Sequence, residues 1–179
     1  PKRGCPPQGQ CGACLAIVDG EPRMTCTVAA ERAGGLDVLT LEGVPAGQRE
    51  SLARAFTAAG AIQCGFCTPA IVLRAKHLLD RQPSPTRGEI ARALDEHLCR
   101  CTGYVKILDA IELAAAERRG TPLPEPVGEG GVGARLDRYR ARDLALGERP
   151  FVDDLARPGM LFGAVALSAH ARARVVRID

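Results

Sequence analysis

Aromatic side chains are scarce in this sequence: they make up 3% of 179 residues, and Trp is absent. The core must therefore be built from aliphatic side chains, and an inorganic centre could supply stability in their place. No apolar run approaches the roughly 18 residues of a membrane-spanning helix. Basic and acidic residues are interspersed, without the basic stripe and interleaved aromatics that single-stranded nucleic acid requires. We therefore expect neither a membrane span nor a nucleic-acid partner.

A secretory signal is also missing, since no charged start is followed by an apolar stretch. The hydrophobic content of 46% is typical of a globular protein. We expect a cytoplasmic location, with a periplasmic one left open because the chain begins at Pro1 rather than at Met. Both ends of the chain are expected to be truncated.

Cysteine is the residue that this sequence has in quantity, with eight in all. The first group has the spacing C-x5-C-x2-C-x11-C and consists of Cys5, Cys11, Cys14 and Cys26. Three thiols on a Gly-rich loop plus a fourth from a neighbouring strand are typical of a plant-type [2Fe–2S] cluster. The usual plant-type motif begins C-x4-C, so this loop is one residue longer.

The second group joins a C-x2-C pair to a C-x-C pair: Cys64, Cys67, Cys99 and Cys101. The helical pattern around them places each pair at a helix end, so that two helix pairs converge on one site. Helix N-termini favour thiolates, because their free N–H groups and aligned dipoles stabilise negative charge. This group also indicates an iron–sulfur cluster.

Two other uses of the cysteines compete with this interpretation. A disulfide framework is disfavoured by the chain length and the missing secretory context. Structural zinc normally takes two C-x2–4-C pairs, a spacing that neither group has in full. His77 and His97 could be additional ligands, but each site already has four thiols, and we expect surface or packing roles for both.

The remaining pattern predicts β and loop structure up to Val44, then helices. Asp19-Gly20, between apolar runs at Leu15–Val18 and Met24–Val28, is a hairpin signal. Four helices are predicted: Ala46 to Gly60, Pro69 to Arg81 with Thr68 as N-cap, a third that follows a Thr86–Glu89 capping box and buries Leu94 and Leu98, and Tyr104 to Arg118. Strands are predicted at Met160–Leu167 and Val175–Ile178.

Three segments resemble those of a known family, the molybdenum hydroxylases typified by xanthine dehydrogenase and aldehyde oxidoreductase. The segments are GCPPQGQCGACLAIVDG, QCGFCTPA and LCRCTGY, in that order. The longer first loop is similar to the PQGQCG variant found in part of this family. The tail, with PGML and SAHARAR, resembles the opening of the family's large molybdenum-binding portion.

The resemblance implies an α+β chain in four parts. Residues 1–45 would be an N-terminally incomplete plant-type ferredoxin module with a β-grasp fold, and 46–120 a four-helix [2Fe–2S] bundle. Residues 121–134 would be a Pro/Gly linker, and 135–179 the incomplete start of an α/β, hammerhead-like molybdopterin-binding domain. Cys5, Cys11, Cys14 and Cys26 would hold the cluster more distant from molybdenum, and Cys64, Cys67, Cys99 and Cys101 the nearer one. Gln63 and Cys101 would contact the molybdopterin.

The implied function is electron transfer within an oxidoreductase that hydroxylates an aldehyde or an N-heterocycle. Its catalytic molybdenum portion would lie beyond this chain, in a missing domain or a partner subunit. The electron acceptor, whether an FAD subunit, a cytochrome or another carrier, is open, as are the substrate, the cluster potentials and the oligomeric state. Two alternatives remain at this point: a zinc-stabilised interaction module and a non-functional gene fragment.

Overall fold

The chain folds as two compact units in a computed structural model that describes residues 1–128 and 130–178. The first unit is Pro1–Arg149 and the second begins at Pro150. A small antiparallel sheet and five α-helices lie in the first unit, which makes it α+β. Within the described ranges, no helix is both long and apolar enough to cross a bilayer.

The sheet has three strands in the order β2-β1-β3: β1 Leu15–Val18, β2 Glu21–Met24 and β3 Val38–Leu39. The predicted hairpin is confirmed, because Asp19 and Gly20 both have positive φ, 48° and 79°, as a tight two-residue turn requires. The second strand begins earlier than predicted. Val18 pairs with Glu21 directly after the turn, so pairing ends at Met24 instead of beginning there.

The four predicted helices are found in the predicted order along the chain, and a fifth, α5 Ala141–Leu146, was not predicted. The other four are α1 Ala46–Ala58, α2 Thr68–Arg81, α3 Arg87–Ala93 and α4 Val105–Arg118. The predicted cap of α2 is one residue out, since Cys67 is the N-cap and Thr68 already belongs to the helix. The capping box of α3 is confirmed, with Thr86 Oγ1 accepting from Glu89 N and Thr86 N donating to Glu89.

The prediction that Leu98 belongs to the core is wrong. Leu98 is 61% exposed, whereas Leu94 is buried as expected. The reason is that α3 ends at Ala93, so Leu98 lies beyond the helical period. Its backbone N–H instead donates to the carbonyl of Cys11, 3.0 Å away, and its side chain faces solvent.

A single apolar core joins the sheet to the helices. Helix α1 packs against α2, α4 and α5, while α2 also packs against β1. The largest fully buried side chains are Phe56, Leu52, Ile71, Leu73, Leu79, Ile90, Ile107, Ile111, Val44 and Val72. Each contributes about 1.5–3 kcal/mol by leaving water. This core fixes the loops between elements, and those loops carry the cysteines.

Helix α5 belongs to the first unit and packs against α1 and α2. Its Leu144 lies so close to Gly65 that a Cβ on Gly65 would be 2.8 Å from the Leu144 Cβ. Arg142 forms ion pairs with Glu50 and Glu148. The domain boundaries expected from the resemblance, at 45/46, 120/121 and 134/135, lie inside this compact unit and stay predictions.

The second unit is largely irregular. It has a short 3-10 turn at Val152–Asp154, where Phe151 N donates to Asp154 Oδ2 at 2.8 Å. The two strands predicted at Met160–Leu167 and Val175–Ile178 are wrong: up to residue 178, this unit has no strand. A strand exists only where its N–H and C=O groups pair with a neighbour, and neither segment has such a partner among the described residues.

Candidate metal centres

The first cysteine group is assembled by the hairpin. Cys5, Cys11 and Cys14 precede β1, and Cys26 lies in a 3-10 turn directly after β2. Because β2 runs back along β1, residues 14 and 25 meet: Thr25 Oγ1 donates to the Cys14 carbonyl at 2.8 Å. Cys11 and Cys14 are buried, while Cys5 and Cys26 are partly exposed. The hairpin therefore brings Cys26 into contact with Cys14, and Cys5 contacts Cys11.

The thiols of this group interact with one another. Backbone N–H groups of Gln10 and Gln8 lower the pKa of Cys5 to about 7, with a smaller contribution from Cys11. A hydrogen-bonding contact with Cys14 raises the pKa of Cys26, and the nearby Cys5 adds to the increase. Thiolates are the form that binds metal, so the loop N–H groups favour ligation at Cys5.

The second group comes from two loops that α2, α3 and α4 hold together. Cys64 and Cys67 end the loop before α2, and Cys99 and Cys101 lie between α3 and α4. The sulfurs form two contacts: Cys64 and Cys101 Sγ are 3.5 Å apart, and Cys67 contacts Cys99. The 67/99 pair is buried and the 64/101 pair is exposed.

The pKa values of the two thiols of the buried pair are shifted in opposite directions. Desolvation, followed by the contact with Cys99, raises the pKa of Cys67 to about 12. Desolvation also raises the pKa of Cys99, but hydrogen bonds from Thr102 and Cys101 outweigh it, and that pKa is lower than usual. Within the buried pair, the surroundings of Cys99 therefore favour the thiolate, whereas those of Cys67 favour the thiol.

Two residues of this loop were missed in the sequence. Thr102 Oγ1 lies 3.1 Å from Cys99 Sγ, and Tyr104 Oη accepts from Cys99 N at 2.8 Å. Both belong to the LCRCTGY segment, but spacing assigns them no role. The only sequence signal is their position immediately after the C-x-C pair.

The two groups lie close to each other. A cavity of about 250 Å³ is lined by Cys11 of the first group and by all four cysteines of the second. The Cys11 carbonyl accepts from Leu98 N at 3.0 Å, one residue before Cys99. Gly12 has a positive φ of 70°, and a Cβ there would be only 2.4 Å from the Glu96 carbonyl oxygen. Glycine is therefore needed for this approach.

A donor set of four cysteine thiolates suits a [2Fe–2S] cluster, and each group supplies four thiols. Within residues 1–128 and 130–178, no three His, Cys, Asp or Glu side chains converge as they would around a single ion. The sulfurs of the second group instead meet in twos, 64 with 101 and 67 with 99. This arrangement fits a two-metal cluster better than one tetrahedral zinc, whose four ligands would share a single centre.

The other candidate residues are a glutamine beside the second cysteine group and two histidines. Gln63 is exposed next to Cys64. His77 Nε2 lies 3.1 Å from the Gly20 carbonyl, at the hairpin turn. His97 is 4% exposed, and burial, with a smaller effect of Arg74, lowers its pKa to about 4.

Comparisons with known proteins agree with this geometry. Residues 40–112 match a family model described as a [2Fe-2S] binding domain. The chain is 48% identical over 114 residues to the nicotinate dehydrogenase small FeS subunit of Eubacterium barkeri, covering 63% of this chain and 72% of that one. It is 42% identical over 125 residues to the aldehyde oxidoreductase of Megalodesulfovibrio gigas, covering 66% of this chain but 14% of that protein.

Solved structures give the same result. The aldehyde oxidoreductase from Desulfovibrio gigas superposes with a TM-score of 0.73 and 34% identity, over 83% of this chain and 17% of that one. Quinoline 2-oxidoreductase from Pseudomonas putida 86 superposes with a TM-score of 0.59 and 42% identity, over 66% of this chain and 75% of that one. The fold and the cysteine sets define an iron–sulfur component of an oxidoreductase. The chain belongs to the molybdenum hydroxylase family, as its iron–sulfur portion.

Proposed function

We propose that this chain transfers single electrons through two [2Fe–2S] clusters, from a molybdopterin site towards an external acceptor. The observation that carries the proposal is the grouping of all eight cysteines into two sets of four, with Cys11 of the first set lining the same cavity as the second set. The first cluster would be bound by Cys5, Cys11, Cys14 and Cys26. The second would be bound by Cys64, Cys67, Cys99 and Cys101.

Each cluster, when bound, accepts and releases one electron at a time. The protein's own residues supply the thiolates and hold them in place. Loop N–H groups stabilise the thiolate of Cys5, and Thr102 and Cys101 that of Cys99. The contact between Cys11 and Leu98 fixes the distance between the two cysteine groups.

The finer architecture is part of the same proposal. Residues 1–45 would correspond to an incomplete β-grasp ferredoxin module, and the three-stranded sheet around the first cysteine group supports this. Residues 46–120 would form the four-helix module with α1 to α4, and 121–134 the linker. Residues 135–179 would begin the molybdopterin-binding portion.

The partner would be the catalytic molybdenum portion, as a domain or a subunit, acting on an aldehyde or an N-heterocycle. Relatives named as nicotinate dehydrogenase and xanthine dehydrogenase subunits support a multi-subunit assembly. Gln63 and Cys101 are both exposed at the second site, which supports their proposed contact with a molybdopterin. The final acceptor would be an FAD subunit, a cytochrome or another carrier.

The test is anaerobic reconstitution of the full chain, followed by iron and sulfide analysis and EPR of the dithionite-reduced protein. Two four-cysteine sites predict about four iron and about four sulfide per chain, with two S = 1/2 signals. About two iron with one signal would restrict electron transfer to one site and support the fragment alternative. Bound zinc without sulfide would overturn the proposal in favour of a zinc-stabilised module.

A further inference from the structure

The loop that follows the C-x-C pair directs a side-chain hydroxyl at one ligand sulfur. Thr102 Oγ1 lies 3.1 Å from Cys99 Sγ, within hydrogen-bonding distance for sulfur. The same oxygen accepts the backbone N–H of Tyr104 at 3.3 Å. Thr102 therefore links the buried cysteine to the first residue before α4.

The direction of this hydrogen bond follows from the chemistry of the ligand. Cys99 has no sulfur proton once it is a metal-bound thiolate, so the sulfur can only accept. The Thr102 oxygen already accepts from Tyr104 N, which leaves its own proton to be donated. The hydroxyl of Thr102 thus donates to Cys99 Sγ.

Tyr104 holds the loop in the conformation that allows this contact. Its backbone φ is +69°, a positive value that residues other than glycine rarely adopt. Its hydroxyl bridges the loop: it accepts from Cys99 N at 2.8 Å and donates to the His97 carbonyl at 2.9 Å. These two bonds hold Tyr104 against Cys99, and the bond from Tyr104 N to Thr102 Oγ1 holds Thr102 beside the same cysteine.

The first cysteine group has threonine hydroxyls with different partners. Thr25 Oγ1 donates to the Cys14 carbonyl at 2.8 Å, and Thr27 Oγ1 to the Met24 carbonyl at 2.9 Å. Each of these hydroxyls donates its proton to a backbone carbonyl. The Thr102 contact therefore distinguishes the second site from the first.

We propose that Thr102 is a positioning residue that raises the reduction potential of the second site through its hydrogen bond to Cys99. Reduction adds negative charge, part of which is carried by the ligand sulfurs, and a donor on such a sulfur stabilises the reduced form. The inference rests on the proposed function, because it requires a cluster on Cys64, Cys67, Cys99 and Cys101.

The test compares three variants of the reconstituted full chain by EPR-monitored redox titration. Thr102→Val keeps the side-chain shape but removes the hydroxyl, and Thr102→Ser keeps the hydroxyl. Thr57→Val is the matched control, since the Thr57 hydroxyl donates to the Ala53 carbonyl inside α1. We expect Thr102→Val to move the second-site midpoint to a more negative potential, and Thr102→Ser and Thr57→Val to leave it near the wild-type value. The first-site signal should not move in any variant.

The outcomes separate this inference from the proposed function. A wild-type chain without a second-site signal would contradict the proposed function itself. A wild-type signal whose midpoint is the same in Thr102→Val, or moves equally in Thr102→Ser, would overturn the inference alone. If Thr102→Val does not assemble the site, Thr102→Ala replaces it. If neither Thr102→Val nor Thr102→Ala assembles the second site but Thr102→Ser does, the Thr102 hydroxyl is needed for the site to form. That result would also overturn the inference.

Discussion

The two cysteine groups reach similar donor sets by different routes. The first lies within one stretch of 22 residues, from Cys5 to Cys26, which a hairpin folds back on itself. The second joins two loops separated by α2 and α3, and it exists only when those helices pack. A local turn thus brings the ends of the first group together, although Cys11 also packs on the second site, whereas the second group is assembled only by the tertiary core.

The largest expected effect comes from removing one ligand at each site. We expect Cys67→Ser to lower iron from about four to about two per chain and to remove only the second-site EPR signal. Cys14→Ser should remove only the first-site signal. Iron analysis and EPR of both variants check this, and loss of both signals in either variant would mean that the sites do not assemble independently.

The core that supports the second site offers the next test. Phe56 is fully buried in α1, so Phe56→Ala should lower the free energy of unfolding by about 3–5 kcal/mol through lost burial and a cavity. Urea titration followed by circular dichroism measures this. The second-site signal should disappear at lower urea than the first-site signal. Phe56→Leu, which leaves a smaller cavity, should cost less than Phe56→Ala.

The contact between the sites depends on a glycine. Gly12→Ala should cost about 2–4 kcal/mol, because it adds a left-handed alanine and a Cβ 2.4 Å from the Glu96 carbonyl oxygen. Gly20 is the matched control: its φ is +79°, but nothing lies within 4 Å of its Cβ position. Gly20→Ala should therefore cost only about 1–2 kcal/mol. Urea titration measures the free energy of unfolding of both variants. Equal losses would show that the close approach of residue 12 to the Glu96 carbonyl adds no cost.

The smallest effect is expected at the start of α3. Thr86→Ala removes the N-cap hydroxyl that accepts from Glu89 N, and it should cost about 1 kcal/mol of unfolding free energy. Thermal unfolding measures the loss, with Thr86→Ser as the variant that retains the cap. Both EPR signals should be unchanged, since the cap lies on the far end of α3 from Cys99. Loss of the second-site EPR signal in Thr86→Ala would show that the second site also depends on the N-terminal cap of α3.

Two local signals, each in a short segment that contains its own hydrogen-bonding partner, predicted the structure correctly. They are the Asp19-Gly20 turn and the Thr86–Glu89 capping box, and both rest on hydrogen bonds between neighbouring residues. Predictions that needed a distant partner were less accurate. Leu98 was placed in a helix that ends at Ala93, and the strands at Met160–Leu167 and Val175–Ile178 find no pairing partner in the described chain.

By itself, the sequence predicted the two groups of four cysteines, the order of α1 to α4 and the family, since thiol spacing and apolar period are local properties. Only the tertiary structure decided which sulfurs meet, 64 with 101 and 67 with 99, and that Cys11 lies beside the second group. It also decided that Thr102 and Tyr104 hold Cys99. The physical reason is that these contacts join loops whose separation is set by helix packing, and spacing along the chain contains no information on that distance.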